Sequence, residues 1–204
     1  KSIYIIGITF CLLLIGAASV GYMIYTNIMS PTVEGEQTVY IQVHPEDNTA
    51  SIQDKLSSSA NFKSLKGFAP LMKHYKYDSR VKPGNYAIRP GDSMRDICLR
   101  LLSGNQTPIR LVVPSVRTLD RLAGAVAKQL MTDSTSIAKL LTDQALIDSL
   151  GYTTETFPTL FLPNTYEVYW TMTPDQLFAR MHKEYQRFWN DERMAKAKKQ
   201  GLTP

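Results

Sequence analysis

From Ile3 to Tyr25 the chain runs for twenty-three residues without one charged side chain. At 1.5 Å per helical residue such a segment crosses the ~30 Å hydrocarbon layer of a membrane. Everything after it is therefore tethered. Lys1 precedes the segment, and Glu34 and Glu36 follow it. The positive-inside tendency then puts the first residues in the cytoplasm and the bulk of the chain outside. A cleaved signal peptide is the alternative, carried by the small residues Gly16, Ala17, Ala18 and Ser19. Its apolar core would normally run only ~7–15 residues. Both readings export the rest of the chain.

What is exported has the composition of a globular body, since 44% hydrophobic and 20% charged residues support a core. Only Cys11 and Cys98 are present, one in the apolar segment and one in a helical pattern, so no disulfide framework is expected. Cys98 reads as a small buried apolar residue. The net charge of +5 draws heavily on Lys183 to Lys199, which reads as a solvated helix face and not as a nucleic-acid surface. The chain starts on Lys and stops at Gly201-Leu202-Thr203-Pro204, directly after that basic run, and is expected to be a fragment.

Past the anchor, residues 30–38 read as a polar linker. Val39, Ile41 and Val43 then alternate as a half-buried strand, Pro45 turns the chain, and Asn48 caps a helix carrying Ile52 and Leu56. The pattern recurs. Tyr86 and Ile88 alternate, Pro90-Gly91-Asp92-Ser93 makes a turn and cap, and Ile97 and Leu101 fall seven and eleven residues after Pro90, as Ile52 and Leu56 do after Pro45. A third copy with one inserted residue has a strand at Arg110 to Val113, then Pro114, the cap Thr118, and Leu119, Leu122, Val126 and Leu130 on one helical face. Between the first two copies, Phe62, Leu65, Phe68, Leu71 and Met72 fit a second helix. The order strand, helix, helix, strand predicts a small α+β unit with two helices on a two-stranded sheet. Residues 39–106 are assigned to this module and 107–204 to a second domain. Ser134 to Leu150 and Leu177 to Lys199 read as further helices, the latter with a core stripe of Leu177, Phe178, Met181, Tyr185, Phe188 and Trp189.

Little in the chain advertises chemistry. His44, His74 and His182 are dispersed, so no metal site is expected. Neither a glycine-rich phosphate loop nor a nucleophile elbow occurs, so no nucleotide cofactor or acyl-hydrolase role is expected. Glu167 lies among aromatics that would raise a carboxyl pKa and suit a general acid. Alternation, however, puts Tyr166, Val168 and Trp170 on one strand face and Glu167 with Tyr169 on the solvent side.

Five segments in order carry a resemblance: Lys82-Pro83-Gly84-Asn85-Tyr86, Pro90-Gly91-Asp92-Ser93, Leu101-Leu102-Ser103-Gly104, Val112-Val113-Pro114 with Thr118, and Phe161-Leu162-Pro163-Asn164-Thr165-Tyr166. Behind an N-terminal anchor they resemble the YceG-like family of endolytic murein transglycosylases. Two departures stand out. The family has Glu-Gly after the proline matched by Pro114, where this chain has Ser115-Val116. It has Leu-Glu-Gly where this chain has Phe157-Pro158-Thr159.

The resemblance implies a LysM-like module followed by the first part of a transglycosylase domain, on the outer side of a bacterial inner membrane. The implied enzyme cuts peptidoglycan glycan strands between MurNAc and GlcNAc and leaves 1,6-anhydro ends, working beside cell-wall synthases. One Glu suffices, first as acid on the leaving oxygen and then as base on the sugar's own 6-hydroxyl. In the family that Glu lies in a helical Ala-Ser-Ile-x-Glu stretch, and no residue of this sequence matches it. The match to the family's Pro-x-Thr-Tyr motif makes Asn164 and Tyr166 the candidate substrate-binding residues, against a core role for Tyr166 and a turn role for Asn164. A non-catalytic, membrane-anchored peptidoglycan-binding or scaffold module is the competing function.

Overall fold

With no charge or proline to interrupt it, the N-terminal segment forms one helix, α1 (Ser2–Ile24), continued by a wider π-helical turn at Tyr25–Met29. A computed structural model describes residues 2–116 and 118–202; Lys1, on which the expected orientation rests, lies outside them. Gly7–Met29 is long and apolar enough to cross a membrane, and none of its most apolar window is buried inside the protein. The remainder is mixed α+β. The chain divides into two units, Lys1–Thr107 and Pro108–Pro204.

Residues 30–38 are not a free linker. Strand β1 (Val33–Glu34) pairs antiparallel with β3 (Asn61–Phe62), setting Val33 opposite Phe62. Val33 and Thr32 are buried. The Thr32 hydroxyl donates to the Ser64 carbonyl at 2.8 Å, and its N–H donates to the Asp92 carbonyl at 3.0 Å. Two-residue strands are too short to show alternation, so the sequence pattern hid them. The same pairing takes Phe62 out of the expected second helix. Gly67 permits the π turn to pack closely, since a Cβ there would lie 2.5 Å from the Asn27 carbonyl oxygen.

The first unit is built on β2 (Val39–Val43) and β4 (Gly84–Ile88), antiparallel with Ile41 opposite Tyr86. Between them run α2 (Thr49–Ser59) and α3 (Phe68–His74); α4 (Met94–Ser103) follows β4. Both α2 and α4 start in capping boxes, Asn48 with Ser51 and Ser93 with Asp96. Each helix is also pinned to its strand. Lys55 Nζ donates to Asp47 at 2.5 Å and to the Gln42 carbonyl at 3.0 Å. Arg100 makes the equivalent fork, to both Asp92 oxygens at 2.6 and 3.0 Å and to the Ala87 carbonyl at 2.6 Å. Ile41, Val43, Ile52, Leu56, Phe68, Met72, Tyr86, Ile97 and Leu101 fill the core. Strand β4 is buried on both faces, not half-buried as its alternation predicts. The chain at Gln106 and Thr107 covers it: Thr107 N–H donates to the Asn85 carbonyl at 2.7 Å, and Asn85 Nδ2 returns a bond to Thr107 at 3.2 Å.

The second unit pairs β5 (Ile109–Val113) with β6 (Asn164–Val168), antiparallel with Leu111 opposite Tyr166. Helix α5 (Leu119–Ala127) is capped by Thr118 and ends before Leu130, which is buried in the turn beyond it. The helix expected over Ser134 to Leu150 is two, α6 (Ser134–Leu141) and α7 (Gln144–Ser149). Asp143 breaks the run by accepting the N–H groups of Ala145 and Leu146, a new cap. Asn190 divides the last helix likewise into α8 (Pro174–Phe188) and α9 (Asp191–Lys199). That break exposes Phe188, whose ring lies 4.2 Å beneath the Arg193 guanidinium instead of in the core. Leu177, Met181 and Tyr185 are buried as the stripe predicts, while Phe178 and Trp189 are only partly so.

Candidate functional site

Two loops of the second unit meet in a groove of about 250 Å³. One wall is Pro114, Ser115, Val116, Thr118, Leu119 and Leu122, where β5 passes into α5. The other is Pro158, Thr159, Phe161 and Pro163, on and after a 3₁₀ turn at Phe157–Leu160. Leu122 and Phe161 are buried and form its floor. Three prolines fix φ along the walls, so the loops are stiff without a sheet to hold them. The Thr118 hydroxyl is engaged as cap to the Arg121 N–H at 3.4 Å.

The groove's chemistry follows from its lining. The described lining residues are apolar or hydroxyl-bearing; the hydroxyls of Ser115 and Thr118 and the acceptor side of Thr159, whose hydroxyl donates to the Thr156 carbonyl at 2.6 Å, can bond hydroxyl or amide groups at the rim. Both departures from the family pattern, Ser115-Val116 and Pro158-Thr159, lie here. Neither wall was legible as a site, because the two loops lie some forty residues apart in sequence. Only the departures marked them.

Asn164 and Tyr166 are not among the lining residues. Asn164 is exposed at the first position of β6, directly after the rim residue Pro163, with its Oδ1 accepting the Thr165 N–H at 2.7 Å. Tyr166 is buried in the core, and its hydroxyl donates to the Leu162 carbonyl at 2.7 Å. Burial raises its pKa and nearby Glu184 adds to this, Arg180 opposing, so the phenol keeps its proton at neutral pH. Tyr166 thus anchors the segment that forms the rim. Glu167 is exposed on the opposite face of β6, paired across the sheet with Arg110.

Other chemistry is sparse. Among the described residues no group of three His, Cys, Asp or Glu is arranged to hold a metal ion. Burial pushes the Cys98 thiol up to about 12, which makes it a poor nucleophile.

A search of curated proteins finds no match. Among solved structures the chain is similar to a yceG-like protein of Listeria monocytogenes, at 18% identity and a TM-score of 0.42, over 81% of this chain. It spans 59% of that protein's length. The family model described as the YceG-like family matches residues 41–204, from the first core strand onward and across both loops of the groove. Matched over most of its length, the chain belongs to the YceG-like family.

Proposed function

We propose that this chain serves a membrane-anchored endolytic peptidoglycan transglycosylase, cleaving glycan strands between MurNAc and GlcNAc to leave 1,6-anhydroMurNAc ends. The observation that carries the reading is the family match over residues 41–204 behind a helix able to cross a membrane. The apolar, hydroxyl-rimmed lining of the described groove residues supports it, because a glycan offers apolar ring faces and neutral hydroxyl and acetamide groups. Anchored at the outer face of the inner membrane, the site would meet nascent strands beside the synthases that make them. In this reading the first unit is a LysM-like spacer or glycan contact, and the second holds the strand. Asn164 stands beside the rim to contact the sugar, and Tyr166 positions that rim.

The residues present here hold and orient; no residue of this sequence matches the family's acid/base Glu. That favours, for these 204 residues taken alone, glycan binding without cleavage. The test uses purified sacculi and mass spectrometry of the soluble products. The 204-residue chain should release no anhydro-muropeptides, while the complete product of its reading frame should release them. Silence from the complete product would refute the enzyme reading, and anhydro products from the 204 residues would return Glu167 to candidacy.

A further inference from the structure

Core strands, caps and helices recur in the two units at matching spacings. A shift of 70 positions lays β2, from Val39, on β5, from Ile109, and lays the cap Asn48 on the cap Thr118. A shift of 80 lays the 3₁₀ turn at Tyr77 on that at Phe157, β4 on β6, and the cap Ser93 on the cap Thr173. The central strand pairs Ile41 with Tyr86 and Leu111 with Tyr166 then coincide. Side chains follow the backbone. The fourth and eighth residues after each cap are Ile52 and Leu56, Ile97 and Leu101, Leu122 and Val126, Leu177 and Met181, all at most 3% exposed. Tyr77 and Phe157 are both fully buried.

Details that architecture alone does not demand also coincide. Tyr86 donates to the Lys82 carbonyl at 2.8 Å and Tyr166 to the Leu162 carbonyl at 2.7 Å, four residues upstream each time and just before Pro83 or Pro163. In the following turns, Asp92 N–H donates to the Arg89 carbonyl at 3.0 Å and Met172 N–H to that of Tyr169 at 3.0 Å. Arg100 falls on Arg180. The latter has Met172 where Arg100 has Asp92; it turns instead to Glu184 at 3.1 Å, and its Nε is buried without a hydrogen-bond partner.

We infer that the chain contains one fold twice, and that the copies have diverged at one equivalent groove, closed in the first and open to ligand in the second. Leu119 and Pro158 line the open groove. Their counterparts are Thr49 and Asp78, which are bonded to each other: Asp78 Oδ1 accepts the Thr49 N–H at 2.7 Å and its hydroxyl at 2.6 Å. That latch joins the start of α2 to the 3₁₀ turn, the two edges that stay apart in the second copy. What enters the open groove rests on the glycan reading above; the repetition does not.

The repetition is tested by restoring a lost contact. In the full chain, Met172→Asp supplies the carboxylate that Asp92 supplies in the first copy, placed to meet Arg180. The thermal midpoint read by tryptophan fluorescence should rise by about 2–4 °C, and the rise should vanish when Arg180→Met is added. A fall, no change, or a rise that survives without Arg180 overturns the equivalence. The groove is tested with tetra-N-acetylchitotetraose. Leu119→Thr with Pro158→Asp installs the latch and should weaken binding at least about tenfold, or about 1.4 kcal/mol, in a variant still folded by its tryptophan-monitored transition, while Asp78→Ala leaves affinity unaltered. Wild-type affinity in the latched variant, or loss of binding on Asp78→Ala, overturns the assignment. If the wild type itself ignores the tetramer, the open-groove half fails with the glycan reading, and Met172→Asp alone decides the repetition.

Discussion

Replacing Arg100 by Met keeps the length of the side chain and removes the fork that joins β4, the turn after it and α4. Arg100 and Asp92 are each only 12% exposed, and the pair is bidentate at 2.6 and 3.0 Å. Without the guanidinium, Asp92 keeps the Arg89 N–H at 2.8 Å but loses its counter-charge, and the Ala87 carbonyl loses a donor at 2.6 Å. Breaking a buried pair by removing one partner costs roughly 3–5 kcal/mol. With some water access and one bond retained, the lower end applies, about 3 kcal/mol or a hundredfold in the opening equilibrium. The first unit contains neither tryptophan, since Trp170 and Trp189 both lie in the second. Hydrogen exchange by mass spectrometry therefore reads the effect, on peptides spanning β4 and α4 of the full chain in detergent. Tryptophan fluorescence serves as an internal control that should not move. The Lys55→Met change should cost less, because Lys55 is 35% exposed and its ammonium does not fork across both carboxylate oxygens. Equal costs for the two substitutions, or Arg100→Met costing under about 1 kcal/mol, the worth of an exposed pair, would refute the reasoning. So would an Asp92→Asn, Arg100→Met double variant whose cost equals the sum of the two single costs, since losing both partners of a coupled pair should cost less than that sum.

Three further outcomes are expected. Burial raises the Asp47 pKa, but bonds from Lys55, the His44 N–H and Ser51 outweigh it and hold the carboxyl below 3.8; its stabilising contribution is full above the unfolded value of about 3.9 and fades as pH falls through the lower folded value. Asp47→Asn should therefore speed exchange in the first unit at pH 6 and match the wild type in acid, and an equal difference at both pH values would contradict it. Tyr166→Phe removes one hydrogen bond from the Leu162 carbonyl and should cost about 1–2 kcal/mol, lowering the tryptophan-monitored midpoint, whereas Tyr86→Phe should leave that midpoint unchanged. In a Cys11→Ser background, Cys98 is buried with its thiol pushed up to about 12, so Ellman's reagent at pH 8 should react only as fast as the protein unfolds. Reaction at the speed of a free thiol would show the burial to be wrong.

The sequence carried the long elements well because burial of one face writes itself as a period. Strands β2 and β5 begin and end within a residue of their alternation, β4 and β6 start two residues ahead of theirs and β6 stops two short of Trp170, and Asn48, Ser93 and Thr118 cap where a short polar side chain precedes an apolar period. What stayed hidden was decided by contacts between distant segments. Val33 with Phe62 forms a strand pair too short to have a period. Asp143 and Asn190 look like ordinary helix-surface residues until their side chains turn to cap, splitting two helices. Strand β4 reads as half-buried because nothing in its own residues reveals that Thr107 lies against it. The groove is the same kind of feature: each wall is an unremarkable loop alone, and only folding brings Ser115 and Thr159 to one cavity.

That distinction separates the residues that mark the fold from those that would meet a ligand. The match to the family's Pro-x-Thr-Tyr motif, a proline followed three residues later by tyrosine, is what makes Asn164 and Tyr166 candidates. The first unit carries the same proline and tyrosine, with the same hydroxyl-to-carbonyl bond, beside a groove that Asp78 latches shut. A feature present at both a closed and an open groove cannot be what opens one. The tyrosine reports how a segment is fastened to the sheet, and its substitution should be read first as stability. Ligand chemistry has to lie where the copies differ: Leu119 against Thr49, Pro158 against Asp78, and the hydroxyls of Ser115 and Thr159 on the second copy's rim. Substituting Ser115 and Thr159 together by Ala, at exposed positions with no place in the core, should therefore weaken binding of the chitotetraose without moving the fluorescence midpoint. Tyr166→Phe should do the reverse. If instead Tyr166→Phe abolishes binding at an unchanged midpoint, the tyrosine meets the sugar directly and the division drawn from the two copies is wrong.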